Sequence, residues 1–172
     1  MIFWIDSDSV PKTLRPIILK AAVRLNTAAV FVADRELKDI KQFIADDTFR
    51  VRQANGDKTL KSKISMVVVA QGTNSADDYI VEKAGEGDLC ITHDIPLAGR
   101  LLEKKCTVID DRGGTYNSDN INALLKNREV NSTLREYSVF AEQQSKSTTS
   151  ASVKAFADNF DKTISALIKV QS

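Results

Sequence analysis

Five aspartates lie at or just beyond the ends of apolar runs: Asp6, Asp8, Asp77, Asp78 and Asp94. If those runs are parallel strands, their carboxyl ends meet at one edge of one sheet, where open α/β sheets bind ligands. Carboxylates gathered there repel one another, which raises the pKa of some of them unless a cation neutralises the cluster. Oxygen-only ligands select Mg2+ or Mn2+ over zinc. Because such ions activate water for attack on phosphate esters, the pattern predicts a metal site for phosphoryl chemistry.

Each aspartate also has a purely structural interpretation. Asp8 fits a turn or a helix cap, and Ser75 with Asp78 three residues later resembles a capping box. Asp94 lies just before a helix that has proline near its first position, which is typical of an N-cap. Asp6 is the hardest to explain by capping, because it ends a buried strand.

Apolar runs of strand length alternate with helical patterns, and these elements must position the aspartates. Strands are predicted at residues 2–5, 28–33, 66–70, 89–92 and 107–109. Helices are predicted at residues 11–25, 74–83 and 95–104, and two short ones at 119–126 and 131–140. This alternation predicts a three-layer α/β/α fold around a mostly parallel sheet, followed by C-terminal helices.

The length of 172 residues predicts one sheet domain at residues 1–144 with an appended tail. The tail is divided into a polar, serine- and threonine-rich linker at 145–152 and an amphipathic helix at 153–172. The apolar stripe of that helix includes Phe156, Phe160 and Ile164. It packs onto the sheet domain, or it pairs with a second copy of the chain as a homo-oligomer or with another partner.

Bulk composition predicts a cytoplasmic protein without a membrane partner. Hydrophobic residues make up 42% of the chain and charged residues 27%, and neither a signal peptide nor a membrane-length apolar run is evident. Cys90 and Cys106 lie in apolar runs and are interpreted as buried thiols, which suits a reducing compartment. The net charge of +1 gives no global field for nucleic acid, so a basic patch must be local.

One local basic stretch lies at residues 49–63, around the pair Asn55-Gly56. That pair predicts a surface turn or hairpin, after an irregular or short helical connection at residues 35–48. If the hairpin overhangs the carboxylate edge, its cations would contact the phosphates of a nucleic acid; otherwise it is simply solvated. The candidate nucleic-acid residues are Arg50, Arg52, Lys58, Lys61 and Lys63.

Several other polar residues have structural interpretations. His93 is the only histidine and is interpreted as a loop residue. Asp110 and Asp111 follow a predicted strand and are either turn residues or groups that face the metal. Asp88 precedes its strand, so we expect it at the opposite edge of the sheet.

Three segments resemble the YaiI/YqxD family of bacterial proteins, which is related to the PIN-like nuclease superfamily: residues 5–11, 76–78 and 87–98. Residues 110–116 match more weakly. The resemblance implies a PIN-like fold in which carboxylates hold Mg2+ or Mn2+ and RNA is cut. Carried over by position, Asp6, Asp77 or Asp78, and Asp94 match the catalytic pattern, with Asp8 as an extra member. Val10 stands where the family often has cysteine, so no thiol mechanism is implied.

Three functions compete on these residues. The first is metal-dependent hydrolysis of RNA, with Asp6, Asp77 and Asp94 as catalytic carboxylates. The second is a phosphatase of the haloacid-dehalogenase kind, in which Asp6 is the nucleophile and Asp8 the acid and base. The third is a nonenzymatic module that binds RNA or protein.

Overall fold

A single mostly parallel sheet organises the chain. The computed structural model describes residues 1–70, 72, 75–137 and 149–171, with the side chains of 129–137 and 171 left out. Within these residues the sheet has six strands in the order β3-β2-β1-β4-β5-β6, and only β6 is antiparallel to its neighbour. The strands are β1 Ile2–Asp6, β2 Ala28–Ala33, β3 Ile64–Val68, β4 Leu89–Ile91, β5 Thr107–Ile109 and β6 Thr115–Tyr116.

Helices cover both faces of the sheet, which confirms the predicted three-layer α/β class. They are α1 Arg15–Arg24 after a 3-10 turn at Lys12–Leu14, α2 Lys38–Asn55, α3 Ser75–Lys83, α4 Ile95–Glu103, α5 Ser118–Tyr137 and α6 Ser150–Gln171. Side chains of β1 alternate between the two faces, as strand geometry requires. Phe3 and Ile5 join a core with α1, α2 and α6, whereas Trp4 joins a core with α3, α4 and α5.

The position of β1 in the sheet determines where a site can form. β1 pairs with β2 on one side and with β4 on the other, so the strand order reverses between β1 and β4. A crevice opens outside the carboxyl ends of the strands at such a point. Ile5 is aligned with Ile91, so that Asp6 and Thr92 both follow at this edge.

The pair Asn55-Gly56 does not form a hairpin, so that alternative of the prediction is wrong, whereas the predicted surface turn is present at Gly56. Residues 38–55 form the long helix α2, and Gly56 ends it with a φ of 66°. An asparagine-glycine pair suits a helix end as well as a hairpin, because both need a residue in the left-handed region. The basic stretch therefore lies where α2 ends and β3 begins.

The C-terminal part differs from the prediction in two ways. One helix, α5, spans most of the two predicted short helices, whose last residues, 138–140, lie outside the described residues. α6 begins at Ser150, inside the predicted linker, while 145–148 lie outside the described residues. The hydroxyls of Thr149 and Ser152 accept hydrogen bonds from each other's backbone N–H, at 3.2 and 3.0 Å, which explains the early start. The division into domains stays a prediction.

The apolar stripe of α6 packs onto the sheet of its own chain. Phe156 and Phe160 are 0% exposed and Ile164 is 2% exposed. The ring of Phe160 meets Phe3 of β1 edge-on, with centroids 5.6 Å apart. Gly113 lets the loop before β6 approach α6, since a Cβ there would lie 2.5 Å from the carbonyl oxygen of Ala155. The stripe is thus occupied within the chain.

The two cysteines are buried free thiols, as predicted. A hydrogen bond between them and burial raise the pKa of Cys90. The Cys106 thiol donates to the carbonyl oxygen of Gly85 at 3.2 Å. No helix in the described part of the chain is long and apolar enough to cross a membrane.

Asp88 joins the amino-terminal edge of the sheet, opposite the candidate site. Its carboxylate accepts hydrogen bonds from the Ile2 N–H at 2.8 Å, the Trp4 indole at 3.0 Å and the Gly85 N–H at 3.2 Å. We expect Asp88→Ala to lower the free energy of unfolding by about 3 kcal/mol, because buried donors lose their acceptor. Chemical denaturation measures this change. Combining it with Trp4→Phe, which removes one donor, should cost less than the sum of both changes, and full additivity would contradict the role of the Trp4–Asp88 bond.

Candidate active site

The carboxylate of Asp6 is fixed at the buried end of β1. Asp6 is only 4% exposed, and the Thr92 hydroxyl donates to its Oδ2 at 2.7 Å. The backbone N–H of Asp94 donates in turn to the Thr92 hydroxyl at 2.9 Å. No other hydrogen bond to the Asp6 side chain is found among the described residues. Thr92 therefore orients Asp6 and links β1 to the loop that carries Asp94.

Asp94 combines a structural role with a place beside Asp6 at the carboxyl edge of the sheet. We call the part of this edge formed by Asp6, Asp77 and Asp94 the rim. Its Oδ1 accepts the N–H of Leu97 at 3.0 Å, which confirms the N-cap interpretation. The same oxygen lies 3.5 Å from Nη1 of Arg128 on α5. The cap fixes the direction of the carboxylate, so that Asp94 stays beside Thr92 and Asp6.

Asp77 completes a group of three mutually repelling carboxylates. It lies in the first turn of α3. Burial, together with the negative charges of Asp6 and Asp94, raises the pKa of Asp77 to about 6, although Arg100 opposes the rise. Asp6, Asp77 and Asp94 thus share one electrostatic environment, although they are far apart in sequence. For these three, the structure brings together what the sequence predicted.

Asp8 and Asp78 face other partners. Asp8 accepts the N–H of Asp34 at 2.9 Å, and its other oxygen lies 3.6 Å from Arg35. Burial and the neighbouring charges of Asp34 and Asp6 raise the pKa of Asp8. Asp78 is exposed, and its Oδ1 accepts from Arg100 at 2.8 Å. Within the described residues, no group of three or more His, Cys, Asp or Glu side chains is close enough to hold a metal directly.

Comparison with known proteins identifies the family. The sequence profile of a family described as "Uncharacterized BCR, YaiI/YqxD family" matches residues 47–166. The chain belongs to the YaiI/YqxD family. A UPF0178 protein of Psychrobacter cryohalolentis is 36% identical over 167 residues, which cover 95% of this chain and 99% of the relative. A UPF0178 protein of Trichlorobacter lovleyi is 38% identical over 135 residues, 78% of this chain and 75% of the relative. No solved structure matches, and the relation to PIN-like nucleases stays a prediction.

Two basic groups of this YaiI/YqxD chain adjoin the rim, and the sequence pattern did not predict either of them as a site residue. Arg128 is one; nothing in the polar pattern of α5 distinguishes it. His93 is the other, and its Nδ1 lies 2.9 Å from Oδ1 of Asp111. Asp111 therefore faces a side chain, whereas Asp110 is a turn residue that accepts the N–H groups of Arg112 and Gly114 at 2.9 and 2.5 Å.

The negative charge around the candidate site also affects Tyr116. Burial, together with the negative charges of Asp110, Asp111 and Asp94, raises the pKa of Tyr116 to about 12. The acidic environment of the YaiI/YqxD site therefore extends from α3 across the ends of β4 and β5.

The basic stretch of the YaiI/YqxD chain does not overhang the carboxylates. β3 begins directly after Lys63, and Ile64 is aligned with Ala29 near the start of β2, so the stretch lies at the amino-terminal edge of the sheet. Arg52 donates to the carbonyl oxygen of Leu60 at 2.7 Å, and Lys63 donates to that of Asn26 at 2.9 Å. Arg52 and Lys61 line a groove of about 560 Å³ between α2 and β3. We expected these cations to assist the carboxylates only if the basic stretch overhung the carboxylate edge, and it does not. Contact of these cations with nucleic acid stays a prediction.

Proposed function

We propose that this protein hydrolyses phosphodiester bonds of RNA with Mg2+ or Mn2+ held by Asp6, Asp77 and Asp94. The supporting observation is the convergence of Asp6 at the end of β1, Asp77 in the first turn of α3 and Asp94 at the N-cap of α4, since the charges of Asp6 and Asp94 both act on Asp77. The pKa of Asp77 is raised mainly by burial and, in part, by repulsion from Asp6 and Asp94. A divalent cation would relieve this repulsion, so the cluster is more favourable with the ion than without it.

The donor set suits a hydrated hard cation. All three groups offer oxygen, which Mg2+ and Mn2+ prefer. Mg2+ keeps several of its waters and usually takes only one or two protein carboxylates directly. Within the described residues no three such side chains are close enough to hold a metal directly, so Asp6, Asp77 and Asp94 would hold an ion that keeps part of its water shell.

The chain's own residues position this chemistry. The bound ion would activate water and stabilise charge on the phosphate oxygens. Thr92 keeps Asp6 in one orientation, and the Leu97 N–H does the same for Asp94. Preorganised groups of this kind lose little conformational freedom during the reaction. Asp77, on a separate helix, would orient the attacking water.

The phosphatase alternative has less support. Its acid and base would be Asp8, but the Asp8 carboxylate accepts the N–H of Asp34 and lies beside Arg35. Its nucleophile would be Asp6, one oxygen of which is bonded to Thr92. Trapping of a beryllofluoride adduct on Asp6 would nevertheless favour this chemistry over hydrolysis of RNA.

Calorimetric titration with Mn2+ tests the metal site. We expect the native protein to bind Mn2+ and Asp6→Asn to bind it about tenfold more weakly or worse, since one carboxylate charge is lost. Asp57→Asn is the matched control, because Asp57 is exposed beside the end of α2, at the other edge of the sheet.

An assay on single-stranded RNA then tests turnover. Cleavage should require Mn2+ or Mg2+ and fall with Asp6→Asn but not with Asp57→Asn. Equal Mn2+ affinity in the native protein and Asp6→Asn would remove the metal site. RNA binding that survives Asp6→Ala and Asp94→Ala without cleavage would indicate the nonenzymatic module instead.

A further inference from the structure

A small pocket opens beside the carboxylate rim, on the side of α4 and α5. Its volume is about 330 Å³, and it is lined by Ser9, His93, Asp94, Ile95 and Arg128. This lies at the lower end of the range for ligand pockets. We call it the Arg128 pocket. Asp94 belongs both to this pocket and to the rim, so the two adjoin.

Arg128 brings to the pocket a positive charge whose donors make no hydrogen bond within the described part of the chain. Its side chain is 50% exposed, and Nη1 lies 3.5 Å from Oδ1 of Asp94. That distance is longer than a normal hydrogen bond, so the contact with Asp94 leaves the donor fork of the guanidinium available. A planar guanidinium matches two phosphate oxygens at once. The charge of Arg128 also offsets that of Asp94, which would otherwise repel a phosphate.

His93 and Ser9 add polar groups that other contacts hold in place. Nδ1 of His93 faces Asp111, which leaves the second ring nitrogen for another partner. The Ser9 hydroxyl accepts the His93 N–H at 3.0 Å and lies 3.3 Å from the Thr92 hydroxyl. The start of α4 at Ile95 places the positive end of a helix dipole at the same wall.

We propose that the Arg128 pocket binds the phosphate next to the one that is cut, so that the substrate is an oligonucleotide and not a mononucleotide or free phosphomonoester. This inference rests on the proposed function, since the neighbouring phosphate is defined by a scissile one at Asp6, Asp77 and Asp94. Adjacent phosphates of one strand would then occupy two adjoining sites. The scissile phosphate would lie at the rim of carboxylates with its metal ion, and its neighbour would lie in the positively charged Arg128 pocket. The rim alone would not select for chain length, whereas the pair of sites does.

Binding of a fluorescent oligouridylate of about eight nucleotides tests the pocket. Anisotropy is measured over a series of salt concentrations, once with EDTA and once with Ca2+ in place of Mn2+. We expect Arg128→Gln to bind about tenfold more weakly. Its slope of log affinity against log salt should be less steep by about 0.7, which corresponds to one lost phosphate contact on a single strand.

Arg24→Gln is the matched control. Arg24 also forms an exposed ion pair, at 2.7 Å with Asp161, but it ends α1 at the other edge of the sheet. Its affinity and slope should equal those of the native protein, and thermal unfolding verifies that both variants fold. Inorganic phosphate at the same phosphate concentration should displace the oligonucleotide poorly.

The outcomes separate this inference from the proposed function. Equal affinity and slope for native protein and Arg128→Gln would overturn the pocket, even if RNA is cleaved. So would the absence of binding by the native protein in both buffers. Efficient displacement by inorganic phosphate would overturn the oligonucleotide assignment. Binding that depends on Arg128 in a protein that cuts no RNA would uphold the pocket and contradict the proposed function.

Discussion

Replacing Asp77 with asparagine is expected to lower RNA cleavage by about a hundredfold and yet to stabilise the metal-free fold. The loss of cleavage follows because a metal-binding or water-orienting carboxylate contributes several kcal/mol to the transition state. The gain in stability follows because burial, Asp6 and Asp94 hold the pKa of Asp77 at about 6. Above that pH the folded protein must keep Asp77 charged in an unfavourable place, and asparagine removes this cost.

The direction of the Asp77 pKa shift determines how the stability gained by Asp77→Asn depends on pH. The pKa of Asp77 is higher in the folded state, at about 6, than its ordinary value of 3.8. Below the ordinary value Asp77 is protonated in both states, so the variant gains nothing there. The gain should grow as the pH rises towards 6 and reach about 1–2 kcal/mol, after allowance for solvent screening at a partly exposed group. Chemical denaturation across this range measures it.

Asp39→Asn serves as a control of opposite sign. Burial acts against the charge of Asp39, but Arg15 outweighs it through two hydrogen bonds at 2.9 and 3.0 Å and lowers the pKa. This variant should lose stability at neutral pH and approach the native protein as the pH falls. A variant Asp77→Asn that is less stable than the native protein at neutral pH without metal would contradict the repulsion at the rim. Mn2+ should stabilise the native protein and much less so Asp77→Asn.

Five of the six strands, and the proximity of Asp6, Asp77 and Asp94, could be predicted from the sequence because both depend on strand order along the chain. Apolar runs separated by helices leave a parallel sheet as the main solution, and this topology places the ends of β1, β3 and β4 at one edge. Asp6 was the most informative, since a carboxylate that ends a buried strand has no simple capping role. Asp94 is the N-cap of α4, as predicted, while its role as a metal ligand stays a prediction.

What could not be predicted depends on side-chain partners from distant elements. Asp78 adjoins Asp77 in sequence but bonds to Arg100, and Asp8 turns to the loop after β2. Neither choice is visible in local spacing. Arg128 reaches Asp94 from a helix 34 positions later, on a largely polar segment where one arginine carries no signal. α2 was missed because the Asn-Gly pair suits a hairpin and a helix end equally.

Replacing Phe160 with alanine is expected to lower the free energy of unfolding by about 4 kcal/mol, a large share of the stability of a domain. Phe160 is 0% exposed and contacts Phe3 at the centre of the sheet and Phe156 on its own helix, with ring centroids 5.6 and 5.4 Å apart. A cavity there would loosen β1, the strand that ends in Asp6. Mn2+ affinity should therefore fall together with stability, although α6 contributes no group to the rim. Chemical denaturation and calorimetry measure the two effects.

Phe49→Ala is the matched control, because Phe49 is 67% exposed on α2 and should change stability by no more than about 0.5 kcal/mol. The two substitutions remove the same atoms, so a difference between their changes in the free energy of unfolding is due to the burial of Phe160. The unfolding midpoint of the native protein should not depend on protein concentration, since α6 fills its place within one chain. A midpoint that rises with concentration, or a Phe160→Ala variant as stable as Phe49→Ala, would instead indicate that α6 docks on a second copy. In that case α6 of one copy would complete the core of the other copy's sheet and would thereby hold Asp6 in position.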